Sequence, residues 1–286
     1  MRIRFLFAAA IFWVTTLGNS AQAQLVMRGV ELGPWAGVAF YLGDLNTNFR
    51  LNRPNVAGGM ALRYNFNSRI ATKFSLNYGK VEAYDSDSDN PFERTRNLSF
   101  ESDILEGTLQ FEFNFLPYIH GSKEFFFTPY VFGGISVFNY NPKALTDDGE
   151  LVELRELGTE GQLKGEEYFI LSSALAYGIG LKFDLSYRWS VDINASFRNA
   201  STDYLDDVST VYPDRSDLEN TRGALGPLAV ELYDRSLFDE GIGSRDREGE
   251  QRGDATNNDR YFFLGLGFNY YFGSLRCPDY GGRRRR

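Results

Sequence analysis

The chain contains one imidazole, His120, in the segment Tyr118-Ile119-His120-Gly121-Ser122. A histidine works as a general base when its ring nitrogen lies within hydrogen-bond reach of a nucleophile, directly or through one water. Ser122 is the hydroxyl this segment offers. One histidine cannot build a His-rich metal centre, and a single cysteine, Cys277, excludes a disulfide framework. Carboxylates are the other chemistry-bearing groups. Thr202-Asp203-Tyr204-Leu205-Asp206-Asp207 leads into the stretch 204–258, which holds 13 Asp/Glu against 6 Lys/Arg. Calcium takes several oxygen ligands, but the spacing lacks the Gly and closing Glu of an EF-hand-like loop. A solvated acidic loop is expected, and no metal is assigned. Gly158-Thr159-Glu160-Gly161 lacks the Gly-Lys-Ser/Thr ending of a phosphate cradle. No catalytic residue and no cofactor is expected; the chain does not read as an enzyme.

What must position these groups follows from composition and pattern. The 286 residues are 43% hydrophobic and 16% aromatic with only 9 Pro, which excludes wholesale disorder. The net charge of −8 argues against nucleic acid as a partner. Residues 1–23 have the form of a signal peptide: Arg2 and Arg4, an apolar run from Leu6 to Leu17, and the small-x-small end Ala21-Gln22-Ala23. Cleavage between Ala23 and Gln24 is expected, and it moves the charge from −8 to −10. The apolar run is shorter than the ~20 residues of a spanning helix. A mean hydropathy of −0.34 is no argument against a transmembrane barrel, whose strands alternate lipid-facing and lumen-facing residues.

Alternation of period two recurs along 24–273. Phe262, Leu264, Leu266, Phe268, Tyr270 and Phe272 oppose Gly265, Gly267 and Asn269; Trp189, Val191, Ile193, Ala195 and Phe197 oppose Ser190, Asp192, Asn194, Ser196 and Arg198. Similar patterns at 171–183, 109–115 and 56–66, and weaker ones at 28–41, 69–83 and 125–140, give eight strands. An even number of long amphipathic strands suits a closed antiparallel barrel. Connections at 67–68, 117–124 and 185–186 are short, and those at 43–54, 84–97, 141–167 and 204–258 are long and polar. The two kinds alternate, so all long loops leave one end. The expected fold is all-β, an eight-stranded antiparallel transmembrane barrel with short periplasmic turns and long extracellular loops, integral to the outer membrane. Lys73, Lys182 and Arg198, with Glu112, Asp184 and Asp192, fall on the polar face. An Arg or Lys facing lipid at mid-depth costs about 2–4 kcal/mol, so that face is the lumen, closed by ion pairs rather than open as a wide pore.

The last strand ends in Gly267, Tyr270 and Phe272, similar to the Gly-x-x-aromatic-x-aromatic assembly signal of outer-membrane barrels, with Gly265 at the position expected to be polar. A basic tail follows at 274–286, with Cys277 and Arg283 to Arg286, expected on the periplasmic side. Further segments share a likeness: Tyr41-Leu42-Gly43-Asp44-Leu45-Asn46, Arg63-Tyr64-Asn65-Phe66, Asn97-Leu98-Ser99-Phe100, Phe127 to Ile135, Leu157 to Gln162, Thr202 to Ser209, Gln251-Arg252-Gly253 and Cys277-Pro278. Together they resemble the PorG-like outer-membrane barrels of the type IX secretion system. The resemblance implies a non-enzymatic barrel, in contact with outer-membrane lipids, that tethers a periplasmic ring of a PorK-type lipoprotein and its PorN-type partner. Its short turns or tail would then meet that ring, although Tyr41 to Asn46 and Thr202 to Ser209 lie at the opposite end. A small structural or adhesive barrel acting through its outward acidic loops is the alternative.

Overall fold

The computed structural model describes residues 28–237 and 247–273; the expected signal peptide, the Ala23–Gln24 junction, the basic tail and Cys277 lie outside them. Eight long strands form the wall: β1 (Gly29–Leu42), β2 (Asn55–Asn65), β3 (Ile70–Tyr84), β4 (Ser99–Asn114), β5 (Phe127–Asn139), β8 (Leu171–Asp184), β9 (Trp189–Ala200) and β10 (Arg260–Phe272). All neighbours are antiparallel. Pairing of β1 with β10, in the register Val38↔Leu264, joins the first barrel strand to the last, and β3 with β4, Ile70↔Phe113 to Tyr84↔Ser99, completes the ring. The barrel is closed, with every wall strand paired on both sides, so no wall strand is left as a sheet edge.

Alternation places the side chains as the sequence pattern requires. Leu266 and Ile135 point outward and are 55% and 64% exposed, while Arg63, Glu112 and Lys182 point inward and are buried. The outward surface is aliphatic at mid-height and aromatic at both margins. Phe40, Phe262, Phe197 and Tyr177 form a chain of ring contacts at the loop end, with ring centroids 4.6–6.0 Å apart. Phe66, Phe115, Tyr187, Trp189 and Phe272 are exposed at the turn end. Ten residue steps from Phe262 to Phe272, on a strand tilted as barrel strands are, span about 25 Å. That equals the height of a bilayer-facing apolar band. Outward charges begin just past the upper margin, where Lys80 pairs with Glu101 at 2.8 Å. No described helix is long and apolar enough to cross a membrane, and a strand barrel has no need of one.

The long loops are folded. The 141–167 connection carries a hairpin, β6 (Pro142–Leu145) and β7 (Leu151–Glu153), which extends the sheet from β4 beyond the barrel rim. Helix α1 (Pro91–Arg96) lies between β3 and β4, capped by the Asn90 side chain accepting from Phe92 N. Helices α2 (Arg215–Arg222) and α3 (Gly226–Tyr233) lie in the longest loop. Their buried Leu218, Ala229 and Leu232 join Leu205, Tyr212, Leu154, Leu157 and the inward Phe138, Ile104 and Val81 in one apolar core that closes the barrel mouth. The expectation of a solvated acidic loop is corrected here: Leu205, Asp206, Asp207 and Val208 are at most 2% exposed. Burying the apolar residues around them is what draws this segment down onto the mouth.

Candidate functional site

The lumen is filled by charge pairs in layers. Arg63 on β2 is the hub. Its guanidinium lies 2.7 Å from Glu31 on β1, 2.8 Å from Glu112 on β4 and 2.7 Å from Asp192 on β9. Lys182 donates to Glu112 at 2.6 Å and to Asn114 at 3.1 Å, and Lys73 lies 3.8 Å from Glu112. One layer nearer the mouth, Arg198 donates to Glu106 at 2.8 and 2.9 Å, and Glu106 also accepts from Tyr261 Oη at 2.6 Å. Between the layers is a chamber of about 20 Å³ lined by Lys73, Asp192, Asn194 and Arg198, room for about one water. Gly267 faces this lumen, where a side chain would collide with the Asp192 carboxylate. Tyr270 and Phe272 instead belong to the aromatic margin, packing near Trp189 and each other at 4.9 and 4.7 Å.

At the turn end the 115–126 connection folds inward. His120 Nδ1 is 2.8 Å from Asp184 and Nε2 is 3.1 Å from Glu31, and its ring stacks on Tyr271 with centroids 4.2 Å apart. Burial opposes a charged imidazole, but hydrogen bonds and charge from the two carboxylates outweigh it and push the His120 pKa up to about 9. Both nitrogens are taken by carboxylates. Ser122 Oγ accepts from the backbone of Glu124 and Phe125, so the histidine and the serine do not form a base–nucleophile pair. Among the described residues His120, Arg63, Lys73, Lys182 and Arg198 thus share the lumen with Glu31, Glu106, Glu112, Asp184 and Asp192, each within 4 Å of a group of opposite kind.

The loop end holds a second polar cluster, and most of the motif residues meet there. Tyr41 Oη, at the end of β1, lies 2.6 Å from Asp206 Oδ2 and 2.5 Å from Asp259 Oδ1. A phenol donates one proton, so one of these contacts needs a second proton carried by a carboxyl. The remaining oxygens accept from backbone, Asp259 Oδ2 from Leu205 N at 2.9 Å and Asp206 Oδ1 from Val208 N at 3.0 Å. Gly43 must be small, because a side chain there would overlap Asp259 and the Tyr41 hydroxyl. Asp44 accepts from Asp254 N at 2.8 Å, and Leu45 is buried. Leu42 pairs with Arg260 at the strand end. Thr202 Oγ1 lies 3.2 Å from Tyr140 Oη, Tyr204 stacks on Tyr168 with centroids 4.7 Å apart, and Asp207 accepts from Tyr168 Oη at 2.7 Å. Burial is the leading cause that raises these carboxyls: Asp44 and Asp207 are each pushed up to about 6 and Asp203 to about 7, with Asp206 and Asp259 held well above the usual range. Among the described residues no group of three or more His, Cys, Asp or Glu side chains is placed to hold a metal ion.

Two arginines, Arg252 from a resembling segment and Arg96 from none, tie the four loops together. Arg96 pairs with Asp85 at 2.7 Å and donates to the carbonyls of Asp44 at 2.8 Å and Arg252 at 2.5 Å. Arg252 in turn donates to Glu160 at 3.0 Å and to the carbonyl of Asp207 at 2.5 Å. Glu160 accepts from the backbone of Ser209 at 2.8 Å and from the Thr210 hydroxyl at 2.7 Å. Arg252 and Glu160 lie inside resembling segments, but they meet each other and the 207–210 segment only once the loops fold together, which no spacing discloses.

The solved structures similar to this chain include small outer-membrane proteins. The attachment invasion locus protein Ail of Yersinia pestis is 10% identical, over 86% of this chain and 97% of its own, with a TM-score of 0.38. OprG of Pseudomonas aeruginosa is 12% identical, over 88% and 98%, with a TM-score of 0.42. Outer Membrane Protein W of E. coli is 15% identical, over 87% and 100%, with a TM-score of 0.36. Comparison with curated proteins finds no match. The profile of DUF6089, a domain of unknown function, matches residues 6–223. The chain therefore belongs to the DUF6089 family.

Proposed function

We propose that this protein is an integral outer-membrane barrel that acts as a non-conducting, non-enzymatic anchor, with its turns in the periplasm and its cap outside. One observation carries the reading: the Arg63, Lys182 and Arg198 networks fill the lumen across its width. A barrel with no path through it acts by what its two ends touch. The apolar belt of about 25 Å between two aromatic margins supports the membrane setting, and short turns opposite long loops support the orientation. The resemblance to PorG-like barrels gives the anchor its object: a PorK/PorN-type periplasmic ring of the type IX secretion system, held to the outer membrane.

The test is affinity purification of a tagged copy from mildly solubilised envelopes, read by mass spectrometry. Recovery of a ring lipoprotein and its periplasmic partner in comparable amounts, lost when the turns near 67–69, 117–124 and 185–188 are replaced or the tail at 274–286 is cut, is the expected result. Recovery of the barrel alone, with secretion intact in a deletion strain, overturns the secretion role. A second reading, a structural or adhesive barrel acting through its outward surface, is favoured by the cap itself, whose motif residues are packed into a built unit. Under that reading, excising the cap loops abolishes activity while secretion continues.

A further inference from the structure

The described cations outside the strands stand at the two ends of the barrel. At the loop end Arg50, Arg53, Arg96, Arg222, Arg235 and Arg252 each lie within 4 Å of a carboxylate, and Arg94, Arg155, Lys164 and Arg215, which form no such pair among the described residues, share that end with the exposed acids Asp89, Asp148, Glu166 and Glu219. Among the described residues the cations at the turn end are Arg28, just before β1, and Arg69, Lys123 and Arg188, one in each of the three turns. None of these four has a carboxylate partner among the described residues. Among the described residues the single exposed acid there is Glu124, because Asp184 is occupied by His120 and by Gly121 N at 2.6 Å. Two of the cations are held beside the aromatic margin. Arg69 donates to the carbonyl of Phe115 at 2.6 Å, and the Arg188 guanidinium lies 5.9 Å from the Tyr270 ring.

Aromatic side chains at a barrel margin sit at headgroup depth, so cations placed among them stand at the level of lipid phosphates. They are spread round the circumference rather than gathered on the end face, which fits a ring of separate anions better than one protein surface. We propose that this turn-end rim binds the phosphate headgroups of anionic phospholipids in the leaflet it crosses, giving the barrel a one-sided annulus of such lipids. The acidic loop end offers no equivalent. The inference rests on the reading that the barrel spans a membrane, and it adds which lipid meets which end.

The test uses the full chain, residues 283–286 unchanged in every protein compared, refolded into phosphatidylcholine vesicles containing a minority of phosphatidylglycerol. Protein is extracted mildly and its retained lipid quantified. The wild type is expected to enrich phosphatidylglycerol about fivefold over bulk, the scale of one cation near an anionic surface, and high salt should reduce it. The variant Arg28→Gln/Arg69→Gln/Lys123→Gln/Arg188→Gln should retain lipid at the bulk ratio. Two double variants, Arg28→Gln/Arg188→Gln and Arg69→Gln/Lys123→Gln, should each lose part of the enrichment and serve if the quadruple variant does not fold. Heat-modifiable migration in pure phosphatidylcholine separates the two claims. Insertion without enrichment, or enrichment unchanged in the variants, overturns the rim; failure of the wild type to insert overturns the membrane reading with it. Capture of an acidic protein in place of lipid, lost in the variants, also overturns the lipid proposal.

Discussion

Arg63 carries the most demanding position in the molecule, buried and facing three carboxylates from three strands. Removing one partner of a buried ionic group leaves charge uncompensated, at a cost of about 3–5 kcal/mol. Arg63→Ala should therefore lower the urea midpoint of the refolded barrel by an amount of that order, while Arg94→Ala, on the exposed side of α1, should leave it unchanged. At the mouth the sign of the pH dependence is set by carboxyls whose pKa values are raised. Their folded form binds protons more tightly than the unfolded chain, so their stabilisation is full below about pH 4. It drains as pH rises through about 6 for Asp44 and Asp207 and about 7 for Asp203. Hydrogen exchange in 201–210, corrected for intrinsic rates, should be slower at pH 5 than at pH 8. Equal protection, or the reverse order, would count against a proton-held cap. Tyr41→Phe removes the hydroxyl between Asp206 and Asp259 and should loosen the same segment by about 1–3 kcal/mol, leaving the wall intact.

At the scale of elements, the wall strands were legible because period two is a local property: Phe262 to Phe272 declares its two faces without help from any other strand. The lumenal positions of Lys182, Arg198, Glu112 and Asp192 followed from the same alternation. Their partners did not, since Arg63 and Asp192 are 129 positions apart and meet only once the barrel closes. The cap was the least legible part. Its hairpin is made of strands of 4 and 3 residues, and α2, Arg215 to Arg222, is polar along most of its length, held by the Asp214 cap and one buried apolar residue, Leu218. Polar loop composition reads as solvated; here Leu205, Tyr212 and Leu232 pull it onto the mouth. The face assignment has a direct test. Leu266→Arg places a charge on the outward belt at about 2–4 kcal/mol and should abolish heat-modifiable migration and insertion, whereas Asn269→Ser, on the lumen side, should preserve both. Normal insertion of Leu266→Arg would contradict the assignment.

The whole molecule is a closed wall with a filled interior, a clamp at one end and a folded cap at the other. His120, pinned by Glu31 and Asp184, seals the turn end; the apolar cluster around Phe138 and Ile104 seals the mouth; and ion pairs occupy what lies between. Each barrier is made of different chemistry, so loss of one leaves the others. Arg63→Ala should weaken the barrel without making it a channel. The anchor role proposed above requires a body that is rigid and impermeable across the bilayer, with its working surfaces at the ends. Single-channel recording of the refolded wild-type barrel in planar bilayers tests that claim most directly. No stable conductance steps above the bare membrane are predicted, at either polarity, across pH 5 to 8. Reproducible unitary steps in the wild type would show that the lumen conducts and would contradict the anchor account.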